Sequence, residues 1–471
     1  MNKLFLVLIF SILFSSCNKE NQISYDLVIE NGNVIDIVTG KINKQTIYIN
    51  DGRFVKFSNL EDRKTFKSDI ILDGTDKFIL PGFWDNHVHF RGGDTLIQAN
   101  KDFLKIFIMN GITTVRDAGG DLTSSVMVWK KQVENNELVG PTIFSAGPKI
   151  DGKNATWAGS LIVENEADIA VALDSLETLQ VDFVKLYDSR ISGNLYLKTI
   201  REATKRGMLT SGHMPFTVEL EATIDSRIGA IEHLYYVLKG CSADEKAITE
   251  AIKNGKYGFW SSMEKLIESY QDSTAQQTFS ALKTHNTYVV PTLHIGDVLS
   301  YLDEINHEND TYLKLMYPGL VKTYEGRIRS SLNSSEEARQ NRKALNTFFK
   351  TLTKSLSDTD VNLLAGSDSG AFNSYIYPGI SLHKELEAMA TTGISNLKVL
   401  QNSAYNGAHF LKKESDYGTI EIGKISDLVM LNSNPLESIK STRDIHLVIK
   451  GNDVFNPQKI AYEIDCLDCI K

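Results

Sequence analysis

The sequence predicts an α/β fold: a closed (β/α)8 TIM barrel carrying a small β-sandwich domain made from both chain ends. Three observations predict it. Between residues 79 and 413, eight short apolar strands alternate with helical stretches, the pattern of a parallel sheet wound with crossover helices. At both ends the texture changes to short alternating strands cut by Asn-Gly and Asp-Gly turns, which is hairpin chemistry. Several strands of the middle region end in histidine, lysine or aspartate, and barrels of this kind carry their sites at the C-terminal strand ends.

Taken in order, residues 1–16 form a leader: Lys3, an apolar run from Leu4 to Phe14, then Ser-Ser before Cys17. The run is too short for a membrane helix, which needs about 20 apolar residues. It reads as a bacterial lipoprotein signal cleaved before Cys17, with residues 17–24 as a polar tether. Two acyl chains on Cys17 would anchor the mature protein stably, whereas one binds membranes only marginally. The expectation is a cell-envelope protein, periplasmic or surface-facing, that meets the membrane only through its lipid anchor.

The chain has 471 residues and a net charge of -9; losing Lys3 with the leader makes this -9 - 1 = -10, which argues against a nucleic-acid partner. With 42% hydrophobic residues it can bury one large core and a smaller one. A small-molecule substrate is the expected partner, and homo-oligomerisation stays open. Residues 25–78 (YDLVIENGNVIDIVTG, QTIYINDGRFVKF) and 414–460 (YGTIEIGKISDLVMLNSNPLESI, IHLVIKGNDVF) supply the composite β-sandwich. In the tail, residues 461–471, Cys466 and Cys469 form one CLDC pair. Two thiols are too few for a zinc site, so a disulfide of an exported tail, or no role, is the better reading; Cys241 stands alone.

The barrel spans residues 79–413. Its first strand is FILPGFWDNHVHF, where His87 and His89 leave on one face and Val88 turns into packing, because successive side chains of a strand alternate. Two neutral imidazoles on a rigid strand end suit a zinc-like ion. The other strands are ITTVRDAGG, PTIFSAGP, DFVKLYD, GMLTSGHMP, GAIEHLYY, TYVVPTLH and VNLLAGSDSG. They bring Lys185, His213, His233 and Asp368 to strand ends. A lone histidine there is more often structural and a lone aspartate often a helix cap, but the whole set at the ends of one barrel points to a metal centre. About 335 residues exceed the roughly 250 of this fold, so insertions are implied. The charged, helical stretch at about 295–358 follows the seventh strand and can reach over the mouth. His294, Tyr187 and Arg91 are candidate substrate-binding residues, with Arg116 and Trp157 behind them; His285, His307, His383, His409 and His446 lie outside strand ends and read as structural or solvated.

In order along the chain, LPGFWDNHVH, GITTVRDAGG, FVKLYD, GHMP, IEHL, GSDSG and the closing GTIEIGKISDLVMLNSNPLESI resemble the amidohydrolase superfamily, in its imidazolonepropionase-like branch that includes Xaa-Pro dipeptidases. The resemblance implies two divalent metal ions, with zinc the expected metal: His87, His89 and Asp368 on one, His213 and His233 on the other, and Lys185 bridging both as a carbamate. An ammonium cannot ligate a cation, whereas a carbamylated lysine is a carboxylate. Two metals sharing a hydroxide supply a nucleophile near neutral pH, and Asp368 is the expected catalytic proton shuttle to the leaving group. The third loop, KIDGKNATWAG, departs from the Gly-Gly-His run of several relatives, which leaves the substrate open. The expected activity is hydrolysis of an amide (C–N) bond in a small peptide or N-acyl amino acid. The alternatives are a cyclic amide or deaminase-type C–N hydrolysis, and a non-catalytic binding lipoprotein.

Overall fold

The structure, a computed structural model, describes residues 23–59, 66–466 and 469. The leader and Cys17 lie outside the described residues. The barrel runs through Phe83–Val88, Ile112–Asp117, Thr142–Ser145, Val184–Leu186, Thr210–Gly212, Ala230–Glu232, Tyr288–Val290 and an eighth extended segment, 362–369. Neighbouring strands pair in parallel. The third and fourth are joined by Asp182 N–H donating to Ser145 O and by Ile150 pairing with Leu186.

The eighth segment closes the barrel through isolated bridges, Leu363 to Val289 and Ser369 to Val88, instead of a regular ladder. Its composition explains this. Gly366 passes so near the first strand that a Cβ there would lie 2.6 Å from His87 Cβ, and Asp368 turns left-handed at φ 59°. A segment that bends this sharply keeps only single contacts, such as Asp368 N–H to His87 O at 2.7 Å.

The barrel strands are short and buried on both faces, as expected of a parallel sheet covered by helices. Inward residues Trp84, Phe144, Phe183, Tyr288 and Leu364 fill the lower barrel, while Val88, Val184 and Leu186 pack outward in the main core. The helices bury one stripe each. In Gly193–Lys205, for example, Tyr196, Thr199, Ile200 and Ala203 face inward, and Ser192 caps its start.

The two chain ends meet in one eight-stranded sheet. Its path runs Asp453–Phe455, Ile445–Lys450, Leu428–Leu431, Phe78–Pro81, Ile23–Ile35, Ile42–Asn50, Arg53–Ser58, with Phe66–Asp73 pairing beside Ile23–Ile35. The path curls over a core of its own, including Leu27, Ile47, Phe54, Leu428 and Ile449, and its two arms touch again where Arg53 bridges Ile425. Cys466 and Cys469 are joined in a disulfide, and Cys241 is a buried thiol. No helix among the described residues is long and apolar enough to cross a membrane.

After the seventh strand come helices Leu293–Ser300, Pro318–Lys322, Glu325–Leu332 and Glu336–Asp358. They are part of the main core: Leu320, Tyr324, Leu345, Leu352 and Leu356 are buried in it.

Candidate active site

His87, His89 and Asp368 converge at the mouth of the barrel, with one ligand atom from each lying within 4.8 Å of the others. His87 Nε2 and His89 Nε2 are 3.2 Å apart, and Asp368 Oδ1 lies 3.5 Å and 3.2 Å from them. The partners of the other ring nitrogens fix the tautomers. His89 Nδ1 is 2.8 Å from Gly119 O, which can only accept, so Nδ1 carries the proton and Nε2 presents a lone pair. Asp188 Oδ1, 3.2 Å from His213 Nδ1, sets that ring in the same way. Thr292 donates its hydroxyl proton to Pro291 O and so accepts from His233 Nδ1 at 2.7 Å. His87 Nδ1 makes no aligned hydrogen bond, but Glu232 Oε2 lies 2.9 Å from it and favours the proton on that nitrogen. All four rings thus turn an Nε2 lone pair away from these partners.

The rings also sit together: His213 is 4.8 Å from His233 and His87 is 5.2 Å from His233, between ring centroids. Burial holds His87 below the ordinary histidine range and His89 and His233 well below it, which favours the neutral, ligating form. For Asp368, burial works to raise the pKa, but the adjoining imidazoles of His87, His89 and His233 outweigh it and hold the carboxyl well below its usual range. Asn373 Nδ2 donates to Asp368 Oδ1 at 2.8 Å and fixes that side chain. His233, Thr292 and Asp368 all adopt left-handed backbone, at φ 71°, 50° and 59°. Strain of this kind on non-glycine residues persists only where the surroundings over-determine it, and it clusters at functional sites.

Lys185 is buried under this cluster, on the inward face that carries Phe183, and its Nζ donates to Glu232. Glu232 also accepts from Ser211 Oγ and, at 3.0 Å, from Arg116 Nη2. Burial lowers the Lys185 pKa against the opposing charge of Glu232. Burial would raise Glu232, but His87, Lys185 and Arg116 together hold it well below the carboxylate range.

The loops enclose a chamber of 930 Å³ over the cluster, with His213, His233, Asp368 and Tyr187 in its lining. The Tyr187 ring lies 4.4 Å from that of His213. Arg91 is buried beside the chamber, its guanidinium 4.1 Å from the centre of the Trp157 ring and its Nε donating to Ala371 O at 2.8 Å. Arg116 points into the barrel floor, where Glu232 engages it; that placement corrects its reading as a mouth residue. His294 also departs from expectation. The left-handed turn at Thr292 starts a helix, so His294 faces a separate cavity of 410 Å³, while Leu293 and Ile295 on the same helix line the chamber.

Sequence reasoning did not single out Glu232, Asp188, Thr292 or Asn373. Two of them had a local signal, since Glu232 precedes His233 in IEHL and Asp188 ends FVKLYD.

The model of the amidohydrolase family matches residues 78–454. The adenine deaminase of Staphylothermus marinus is 26% identical over 286 residues, 58% of this chain and 46% of that protein. The chain spans about half the length of the curated relatives it matches. Among solved structures, bottromycin amidohydrolase superposes with a TM-score of 0.71 at 18% identity, covering 93% of this chain and 90% of the other. A Xaa-Pro dipeptidase with bound methionine in its active site gives a TM-score of 0.65 at 18% identity, covering 91% and 99%. At these identities the superpositions speak for the fold, a barrel with an added sheet domain, while the family model covers most of the sequence. The chain belongs to the amidohydrolase family.

Proposed function

We propose that the chain is a hydrolase acting on carbon–nitrogen bonds, a binuclear metal enzyme that cleaves the amide bond of a small peptide or N-acyl amino acid. The observation that carries the reading is the donor set: four histidines whose Nδ1 partners leave Nε2 as a lone pair, gathered around the Asp368 carboxylate. Lone pairs from His87 and His89 held 3.2 Å apart repel each other unless a cation lies between them. The residues therefore fit a divalent ion on His87, His89 and Asp368, and a second on His213 and His233, with zinc the expected metal. Bound there, such ions would supply Lewis-acid polarisation of the scissile carbonyl and an activated water.

The chain's own groups do the rest. Asp368, oriented by Asn373, accepts a proton at its carboxylate and delivers it to the leaving amine. Tyr187 orients the substrate from the chamber wall, while Arg91, buried beside the chamber, stacks on Trp157 behind it. Lys185 is assigned the bridging role as a carbamate. Its lowered pKa favours the free amine that takes up carbon dioxide, and the change requires its ion pair with Glu232 to open while Arg116 and Ser211 retain that carboxylate. The lipid anchor on Cys17 and an envelope location belong to the same reading, motivated by the leader alone. Cys17→Ala should abolish processing and membrane fractionation.

Metal analysis combined with a screen of dipeptides, N-acyl amino acids and lactams tests the reading. About two equivalents of metal with turnover of a linear amide is the expected result. The adenine deaminase relatives favour a second reading, deamination, and the same screen with adenine added separates the two. Ammonia release from adenine without amide cleavage would replace the first reading by the second.

A further inference from the structure

We propose that the chamber selects N-acyl amino acids with a large apolar acyl group, aromatic or a chain of roughly six or more carbons, over dipeptides of small residues. The proposal rests on the reading of the site as an amide-hydrolysing centre and names its substrate class.

Size comes first. At 930 Å³ the chamber lies near the top of the range of about 300 to 1,000 Å³ that encloses drug-sized ligands, far more room than two small residues need. Its wall is aromatic and continuous with the histidines. Tyr235 is 6.5 Å from His233, and around it stand Phe259 at 5.2 Å, Trp260 at 5.9 Å and Phe349 at 5.0 Å. These rings come from two separate loops: helix Phe259–Glu268 follows the sixth strand, and helix Glu336–Asp358 follows the seventh. Trp260 is 59% exposed, an indole on the lining that the protein itself leaves uncovered. The charges complete the argument. Arg190, Arg327 and Arg342 line the chamber and outnumber its two carboxylates, Asp188 and Asp368. The field there favours an anion, and the amino-acid carboxylate of the substrate is one.

The test is a series of N-acyl alanines, from acetyl through butanoyl and octanoyl to lauroyl, with phenylacetyl beside them. kcat/KM should rise up to about fourfold per methylene, mostly through KM, until the chamber is filled. Ala338, half-buried on the chamber lining in the first turn of helix Glu336–Asp358, gives a variant that fills the chamber. Ala338→Trp should flatten the rise while leaving N-acetylalanine turnover and metal content unchanged. A readout without turnover is intrinsic fluorescence: octanoate should perturb it saturably and acetate should not, and Trp260→Phe should remove most of the response. A flat or falling dependence on acyl size with N-acetylalanine still cleaved would overturn the substrate class and keep the amide reading. Failure of every N-acyl alanine would overturn both.

Discussion

Two residues carry most of the proposed chemistry, and their substitutions should fail in different ways. Lys185 is buried against Glu232 beneath the histidines, so Lys185→Ala leaves Glu232 with one cationic partner fewer in a site assigned to two metals. Bound metal, read by elemental analysis, should fall by about half or more, turnover should nearly vanish, and short carboxylic acids should restore part of both. Full metal content with near-normal turnover would remove the bridging role. Asp368→Asn keeps an oxygen toward His87 and His89 but loses the proton acceptor. Metal should largely remain while kcat drops by about 10²- to 10⁴-fold, the usual contribution of general acid–base catalysis. These residues are legible in the sequence because each lies in a short apolar run that reads as a barrel strand, DFVKLYD and VNLLAGSDSG. Glu232 is not, because its partners Lys185 and Arg116 are 47 and 116 residues away and only barrel closure brings them together.

At the scale of elements, the segment after the seventh strand is both a wall of the chamber and part of the main core. The sequence shows its length and helical pattern, but not that Tyr324, Leu345, Leu352 and Leu356 enter the main core, which depends on contacts with distant strands and helices. Exchanging residues 299–355 for a short linker would therefore strip buried apolar surface and unfold the barrel, so point substitutions are the sharper probe. Helix Glu325–Leu332 reaches the reacting groups by a two-step chain. Arg327 Nη2 donates to Asn373 Oδ1 at 2.8 Å, and Asn373 Nδ2 donates to Asp368 Oδ1 at 2.8 Å. Arg327→Met frees Asn373 to rotate. It should lower kcat about three- to tenfold, less than the 1.5–3 kcal/mol of a hydrogen bond to a charged group because Arg327 acts through Asn373, with metal content and Tm unchanged. A variant that changes only KM would show that Arg327 contacts substrate and does not position Asp368. His294 teaches a related lesson: strand-end proximity suggests the mouth, yet one left-handed residue, Thr292, redirects the chain and turns the side chain to another cavity.

For the whole molecule, stability depends on a joint between barrel and sheet domain that must stay uncharged. His383, on helix Ile380–Thr391, is fully buried with Nε2 2.9 Å from Asn110 O and Nδ1 3.0 Å from Thr442 Oγ1, and its ring meets Phe83 edge-on at 5.3 Å. Burial pulls its pKa down to about 4. Because the folded value lies below the unfolded one near 6.5, the unfolded chain binds the proton first as pH falls. The stability it contributes is complete above about pH 6.5 and is lost between there and pH 4, about 3 kcal/mol in all. Glu385 on the same helix works in the opposite sense. Its carboxyl is buried, accepts from His294 N–H at 2.7 Å and is pushed up to about 8, so its contribution is complete below about pH 4.5 and is lost as pH rises through 8. Thermal melts from pH 4 to 9 should therefore show a plateau between about pH 4.5 and 6.5, where the two terms offset, and a fall from there to about pH 8. His383→Gln should turn the plateau into a decline with rising pH, and Glu385→Gln, which keeps an acceptor for His294, should turn it into a rise. A plateau unchanged in His383→Gln would place the titrating group elsewhere than in this joint.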